Sequence, residues 1–184
     1  MANSQAAEPT RRDFLYVATA AAGAVGAVFV AWPFIDQMNP STAVLAQASI
    51  EVDVSSVQPG QSVTVMWRGK PTFIRRRTER EIRDAAAVAV DDLRDRLARS
   101  ASAPDNAPAT DENRVQRPEW LIVVGVCTHL GCIPLSNQGE YGGWLCACHG
   151  SQYDTSGRVR VGPAPENLSV PPYAFLSDTR VRIG

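Results

Sequence analysis

Cys127-Thr128-His129-Leu130-Gly131-Cys132 and Cys146-Ala147-Cys148-His149-Gly150-Ser151 hold every cysteine and every histidine of the chain, four and two respectively. Sulfur and imidazole suit zinc, copper and iron, and suit magnesium or calcium poorly. Each run follows a strand-like lead-in. Trp120–Val126 is nearly continuously apolar and feeds Cys127, while Gly142-Gly143-Trp144-Leu145 feeds Cys146. Strands that deliver ligand loops place the metal chemistry on a β scaffold.

The segments around the two loops read the same way. Ile50–Val54 alternates apolar and acidic residues, Ser62–Trp67 is rich in β-branched residues, and Pro71–Ile74 follows a Gly-Lys turn. Tyr153–Val161 and Val170–Ile183 are further strand candidates, on either side of Gly162-Pro163-Ala164-Pro165. Short strands with turn residues between them predict an antiparallel β domain. One helix interrupts them. Thr78-Glu79-Arg80-Glu81 fits a capping box, and Ile82, Ala86, Ala89, Leu93 and Leu97 recur at helical spacing to about Arg99. The Pro/Asp/Asn-rich residues 101–113 read as a loop without chemistry.

No charge occurs from Phe14 to Ile35, between Asp13 and Asp36. As a helix this run reaches roughly 33 Å, enough for a hydrocarbon core of about 30 Å. Trp32 sits near its far end, where an indole suits the interface. Thr10-Arg11-Arg12-Asp13-Phe14-Leu15 precedes it and resembles a bacterial twin-arginine export signal. Ala46-Gln47-Ala48 offers a cleavage site, but the apolar run exceeds the roughly 7–15 residues of a signal-peptide core, which favours a retained anchor. The organisation expected is a cytoplasmic tail (1–13), a transmembrane anchor (14–36), a flexible linker (37–49) and a head (50–184). Either fate of the anchor puts the cysteines in a bacterial periplasm, where disulfides persist.

The formal charge is −1, with 18 Lys and Arg against 19 Asp and Glu. Nucleic-acid binding usually leaves a basic footprint, and none is present. All the cations except Lys70 are arginines, interleaved with acids, which reads as a solvated surface.

In an extended loop, side chains two apart share a direction and neighbours point apart. Cys127 and His129 then converge on one centre, whereas Cys148 and His149 do not. Cys146 and His149, three apart, meet across a turn. Cys132 and Cys148 are left over, and in an oxidising compartment a Cys132–Cys148 disulfide would staple the loops together. Four cysteines allow three pairings, so sequence alone leaves this one open.

These runs, continued through Tyr153-Asp154, resemble the two signature boxes of Rieske iron–sulfur proteins. More narrowly they resemble those of the Rieske subunits of ubiquinol–cytochrome c reductases. The likeness covers the anchor, the linker, the head, both boxes and the Gly162-Pro163-Ala164-Pro165 turn; only about 75–117 lacks a distinctive motif. Ala147 stands where the family usually has proline, a change that removes no ligand. The resemblance implies an all-β, Rieske-type antiparallel head with a cluster-binding subdomain at about 118–165, an N-terminal transmembrane helix and one inserted helix.

It also implies one 2Fe-2S cluster per chain, with Cys127 and Cys146 on one iron and His129 and His149 on the other. Two imidazoles in place of thiolates reduce negative charge, and such centres span about −150 to +300 mV against about −400 mV for plant-type ferredoxins. Hydroxyl hydrogen bonds from Ser151 and Tyr153 would raise the potential further. His149 would meet quinol, and Leu130 would serve docking. The implied activity is electron transfer from ubiquinol at cytochrome b to a membrane-bound cytochrome c, with proton release, within a proton-translocating complex. That complex would be a dimer in the inner-membrane lipid, with the head in the periplasm. Three rivals stand beside this reading: the Rieske subunit of another exported enzyme such as an arsenite oxidase, a soluble Rieske ferredoxin, and a structural Cys₂His₂ zinc module for protein interaction.

Overall fold

The computed structural model describes residues 10–42, 44 and 48–184. Residues 1–9 of the expected tail, 43 and 45–47 of the expected linker, and hence most of the Ala46-Gln47-Ala48 site lie outside the described residues. The chain divides into two compact units, Met1–Leu45 and Ala46–Gly184.

In the first unit, α1 spans Arg11–Asp36. Thr10 caps it: its side chain accepts from the Asp13 N–H at 3.3 Å, and the Asp13 carboxylate accepts from the Thr10 N–H at 2.8 Å. This reciprocal pair satisfies donors that a helix start otherwise leaves open. Arg12 folds back on Tyr16, 5.3 Å from the ring centroid. Every side chain of α1 beyond its cap faces outward, and its length and composition suit a membrane crossing.

The second unit is mostly β. One sheet joins β1 (Ile50–Asp53), β10 (Arg180–Ile183) and β9 (Tyr173–Phe175) in that order. A second joins β2 (Ser62–Trp67), β3 (Lys70–Arg76) and β4 (Trp120–Val124). A third joins β5 (Leu135–Ser136), β6 (Gly142–Cys146), β7 (Ser151–Asp154) and β8 (Val159–Val161). All the pairings are antiparallel. The β2–β3 turn is Arg68-Gly69, with φ of 49° and 71°, a two-residue connection whose positive φ values match the twist of its strands. Tyr153–Val161 resolves into two strands around a turn at 155–158, and Val170–Ile183 into a hairpin.

Ile74, Leu121, Ile122, Val123, Trp144, Tyr153, Val181 and Ile183 are buried in one core. Phe73 of β3 stacks on Trp144 of β6 at 5.7 Å, which joins the central sheet to the one carrying the second ligand loop. A side chain at Gly125 would occupy the Phe73 ring, so glycine there permits the stack.

Two expectations are corrected. The helix after the Thr78–Glu81 capping box, α2, ends at Ala86, not near Arg99. Ala86 and Ala89 are exposed, and a short 3₁₀ turn at Val90–Asp92 follows. Downstream, the Asp95 carboxylate accepts from the Leu97 N–H at 3.1 Å, a local bond that competes with helix. Ala98 N–H donates to Ala107 O at 2.8 Å, and Leu97 pairs with Pro108, so tertiary pairing takes the segment over. The arginines are not all solvated: Arg75, Arg77, Arg114 and Arg158 are buried. Residues 101–113 are largely loop, and within them buried Asp111 binds Arg77 at 2.6 and 2.9 Å and accepts from Ser156 at 2.6 Å.

Candidate metal centre

Both ligand loops are turns, not the extended segment assumed for Cys127 and His129. The first leaves β4 through Gly125-Val126. Gly131 N–H donates to Cys127 O at 2.9 Å, and Cys127 N–H to Cys132 O at 2.8 Å. The second connects β6 to β7, with Cys146 paired to Ser151 across the hairpin, and Gly150 N–H donates to Cys146 O at 2.9 Å. In each loop the donor lies four residues past the cysteine and is a glycine in the left-handed region, at φ of 84° and 76°. Glycine adopts that conformation without the Cβ penalty of other residues.

This folding brings the six cysteines and histidines of the two loops together in two sets. Cys132 and Cys148 form a disulfide that ties the loops. Cys127 and Cys146 are free and buried. The rings of His129 and His149 meet edge to face with centroids 4.7 Å apart. His129 is half-buried and His149 exposed. The sulfurs of Cys132, Cys146 and Cys148 lie within 4.8 Å of one another, but the disulfide takes two of them out of thiolate chemistry.

The surroundings of the free sulfurs are polar on one side. Tyr153 Oη donates to Cys127 Sγ at 3.3 Å and accepts from the Thr128 N–H at 3.3 Å. The His129 N–H and the Ser151 hydroxyl lie near Cys127, and the Cys148 and His149 N–H groups near Cys146. Burial pushes the Cys127 thiol up, but the Tyr153 hydroxyl and these other donors outweigh it, so the net shift is down. At Cys146 burial acts with the neighbouring Cys127, and the thiol is raised. The Tyr153 phenol is raised by burial first and by its bond to Cys127 second.

Leu130 is 71% exposed on the first loop, and the same stretch exposes Ile133 and Leu135. Sequence reading singled out Leu130 alone, because an isolated Ile or Leu after a cysteine carries no exposure signal. It also passed over Thr128, whose hydroxyl donates to Glu166 O at 2.7 Å while its N–H holds Tyr153. Ser151 is fully buried and accepts from the Ala164 N–H at 3.1 Å.

Two buried thiols, two solvent-reaching imidazoles and hydroxyls near sulfur form a donor set that fits a mixed sulfur–nitrogen iron–sulfur group. The comparisons agree. Residues 99–173 match the family model described as Rieske [2Fe-2S] domain. Residues 1–41 match the one described as Ubiquitinol-cytochrome C reductase Fe-S subunit TAT signal. The ubiquinol-cytochrome c reductase iron-sulfur subunit of Blastochloris viridis is 57% identical, over 100% of this chain and 98% of its own length. That of Rhodospirillum rubrum is 54% identical, over 100% and 96%. Among solved structures, a chain of a hyperthermophilic respiratory Complex III is similar at a TM-score of 0.52 and 29% identity, covering 90% of this chain and 98% of that one. With family models on both its ends and full-length relatives above half identity, the chain belongs to the Rieske iron–sulfur subunits of ubiquinol–cytochrome c reductases.

Proposed function

We propose that this chain takes one electron from ubiquinol at a cytochrome b subunit and passes it to a membrane-bound cytochrome c, with release of protons. The observation that carries this reading is the asymmetry of the donor set, with buried thiols and a solvent-reaching pair of imidazoles on two disulfide-linked loops. Cys127 and Cys146 would hold one iron, and His129 and His149 the other. When bound, the 2Fe-2S cluster supplies one-electron chemistry in an accessible potential range.

The chain's own residues supply the rest. His149, exposed, offers a ring nitrogen to a quinol hydroxyl, and imidazole is suited to carry a proton near neutral pH. Leu130, with Ile133 and Leu135, presents apolar surface to the cytochrome b side. Tyr153 donates to Cys127 Sγ and draws electron density from it, and the buried Ser151, paired with Cys146, is placed to act on the same centre. The apolar α1 anchors the chain in the bacterial inner membrane, with the head in the periplasm. Membership of this family sets aside the arsenite-oxidase, soluble-ferredoxin and zinc-module readings.

Turnover, EPR and two sets of variants test the proposal. The complex purified with this chain is expected to reduce cytochrome c in a quinol-dependent way, and the dithionite-reduced protein to give a low-temperature EPR signal of low average g. A complex with intact signal and no quinol-dependent turnover would overturn the assignment. Ser151→Ala is expected to lower the midpoint potential while iron content stays at the wild-type level. Iron loss in that variant would mean the hydroxyl holds structure instead. Prolines introduced across 37–42 are expected to slow turnover and spare the EPR signal, because a stiffened connection restricts a head that must meet two partners. Undiminished turnover would count against a mobile head.

A further inference from the structure

The segment after α2 reaches the redox centre through hydrogen bonds. Asp95 is buried at 6% exposure. Its carboxylate accepts from the Asn167 N–H at 2.9 Å, from Arg99 Nε at 3.0 Å and from the Leu97 N–H. Asn167 returns the contact, donating from Nδ2 to Asp95 O at 3.0 Å and Leu97 O at 2.8 Å, while its Oδ1 accepts from the Val159 N–H. Arg94 donates to Gly162 O. The stretch 162–167 is thereby held at both ends by a segment distant in sequence.

That stretch lies against the site. Gly162 approaches the Ser151 backbone so closely that a side chain there has no room. Glu166 exchanges bonds with the Thr128 hydroxyl in both directions, and Ala164 donates its N–H to Ser151 Oγ at 3.1 Å. A serine hydroxyl has one proton and two acceptor lone pairs. With Ala164 on one lone pair, the proton of Ser151 is left for another acceptor, and Ser151 is paired with Cys146 across the hairpin.

We propose that Asp95 is a positioning residue for the redox centre: by clamping the backbone at Asn167 it holds the Ala164 N–H on Ser151 and so aims the Ser151 hydroxyl at sulfur. The inference rests on the tuning role proposed for Ser151 above. No catalytic contact is asked of Asp95 itself; its effect passes through the 162–167 backbone.

The test is a double-mutant cycle on the iron-loaded full chain, read as midpoint potential, EPR line shape and amide exchange. Asp95→Ala is expected to lower the potential by less than Ser151→Ala does. It should also speed exchange of the 164–167 amides by about tenfold or more, as expected where one charge-assisted hydrogen bond is lost. The double variant is expected to match Ser151→Ala alone, the non-additivity of residues acting through one another. Asp95→Asn, whose amide oxygen can still accept from Asn167, should lie nearer the wild type. Arg99→Gln removes the ion pair but leaves the Asp95–Asn167 bond, and should leave the potential in place.

Additive shifts, or an Arg99→Gln shift equal to that of Asp95→Ala, would show a charge effect and overturn the positioning role. An unshifted Ser151→Ala would overturn the tuning role and this inference with it. A shifted Ser151→Ala with an unshifted Asp95→Ala would overturn the inference alone. Should Asp95→Ala fail to fold, Asn167→Ala carries the same cycle: it keeps the Asp95 carboxylate and breaks the side-chain half of the clamp.

Discussion

Cys146→Ser is expected to yield a chain that purifies with essentially no iron and no acid-labile sulfide. Cys146 is the last residue of β6, buried, with two backbone N–H groups of its own loop near its sulfur. Those donors suit a thiolate, and a serine oxygen is both a harder ligand and a far weaker acid at neutral pH. The substitution changes little else: the β6–β7 pairing at Ser151 uses the backbone, and the Cys132–Cys148 disulfide remains to tie the loops. The fold should therefore survive the loss of the group. Iron and sulfide analysis beside circular dichroism checks both halves. Iron retained at the wild-type level would remove Cys146 from the ligand set, and a collapsed spectrum would make its role structural.

Arg114→Met is expected to cost on the order of 4 kcal/mol. Arg114 is fully buried, and among the described residues no carboxylate is hydrogen-bonded to it. Its guanidinium donates to Ser156 O at 2.6 Å, Leu168 O at 2.7 Å, Gly157 O at 3.3 Å and Ala98 O. Burial lowers its pKa to about 10, so the cation stays charged at neutral pH. Methionine fills much of the same volume but leaves three carbonyls without a donor, Gly157 O keeping the Leu168 N–H at 2.9 Å, and each buried unmet group costs about 1–3 kcal/mol. Against a typical stability of about 5–15 kcal/mol the loss is a large fraction. Thermal unfolding of the detergent-solubilised chain should show a midpoint lower by roughly 10–20 °C. Arg114→Lys, with three donors on one nitrogen, should fall between the two. A change of only a degree or two in Arg114→Met would mean that the carbonyls find water instead.

What was legible in the sequence followed from short-range rules. The strands at Ser62–Trp67 and Trp120–Val124 announce themselves by β-branched and apolar runs, and Thr78–Glu81 by its capping spacing. Expectation diverged where tertiary pairing overrode local pattern. Leu93 and Leu97 keep helical spacing from Ile82, but Asp95 and the partners of Ala98 draw the backbone out of a helix. The buried arginines were invisible for a related reason: Arg77 and Asp111 are neighbours only once the chain has folded. At the site, residue types carried the chemistry and the spacing of Cys146 and His149 pointed to the second turn, but the turn of the first loop did not follow from them. The shape depends on Gly131 and Gly150, whose left-handed backbone and inward bonds become visible only in three dimensions.

The unequal exposure of the four side chains proposed to hold the cluster restricts traffic. Cys127 and Cys146 are sealed in the core, and only the histidine end meets the outside. Donor and acceptor must then use the same doorway, and two large proteins cannot stand in it together. Each visit has to end before the next begins, so departure from one partner sets a floor under the time of every cycle, however quickly the electron itself moves.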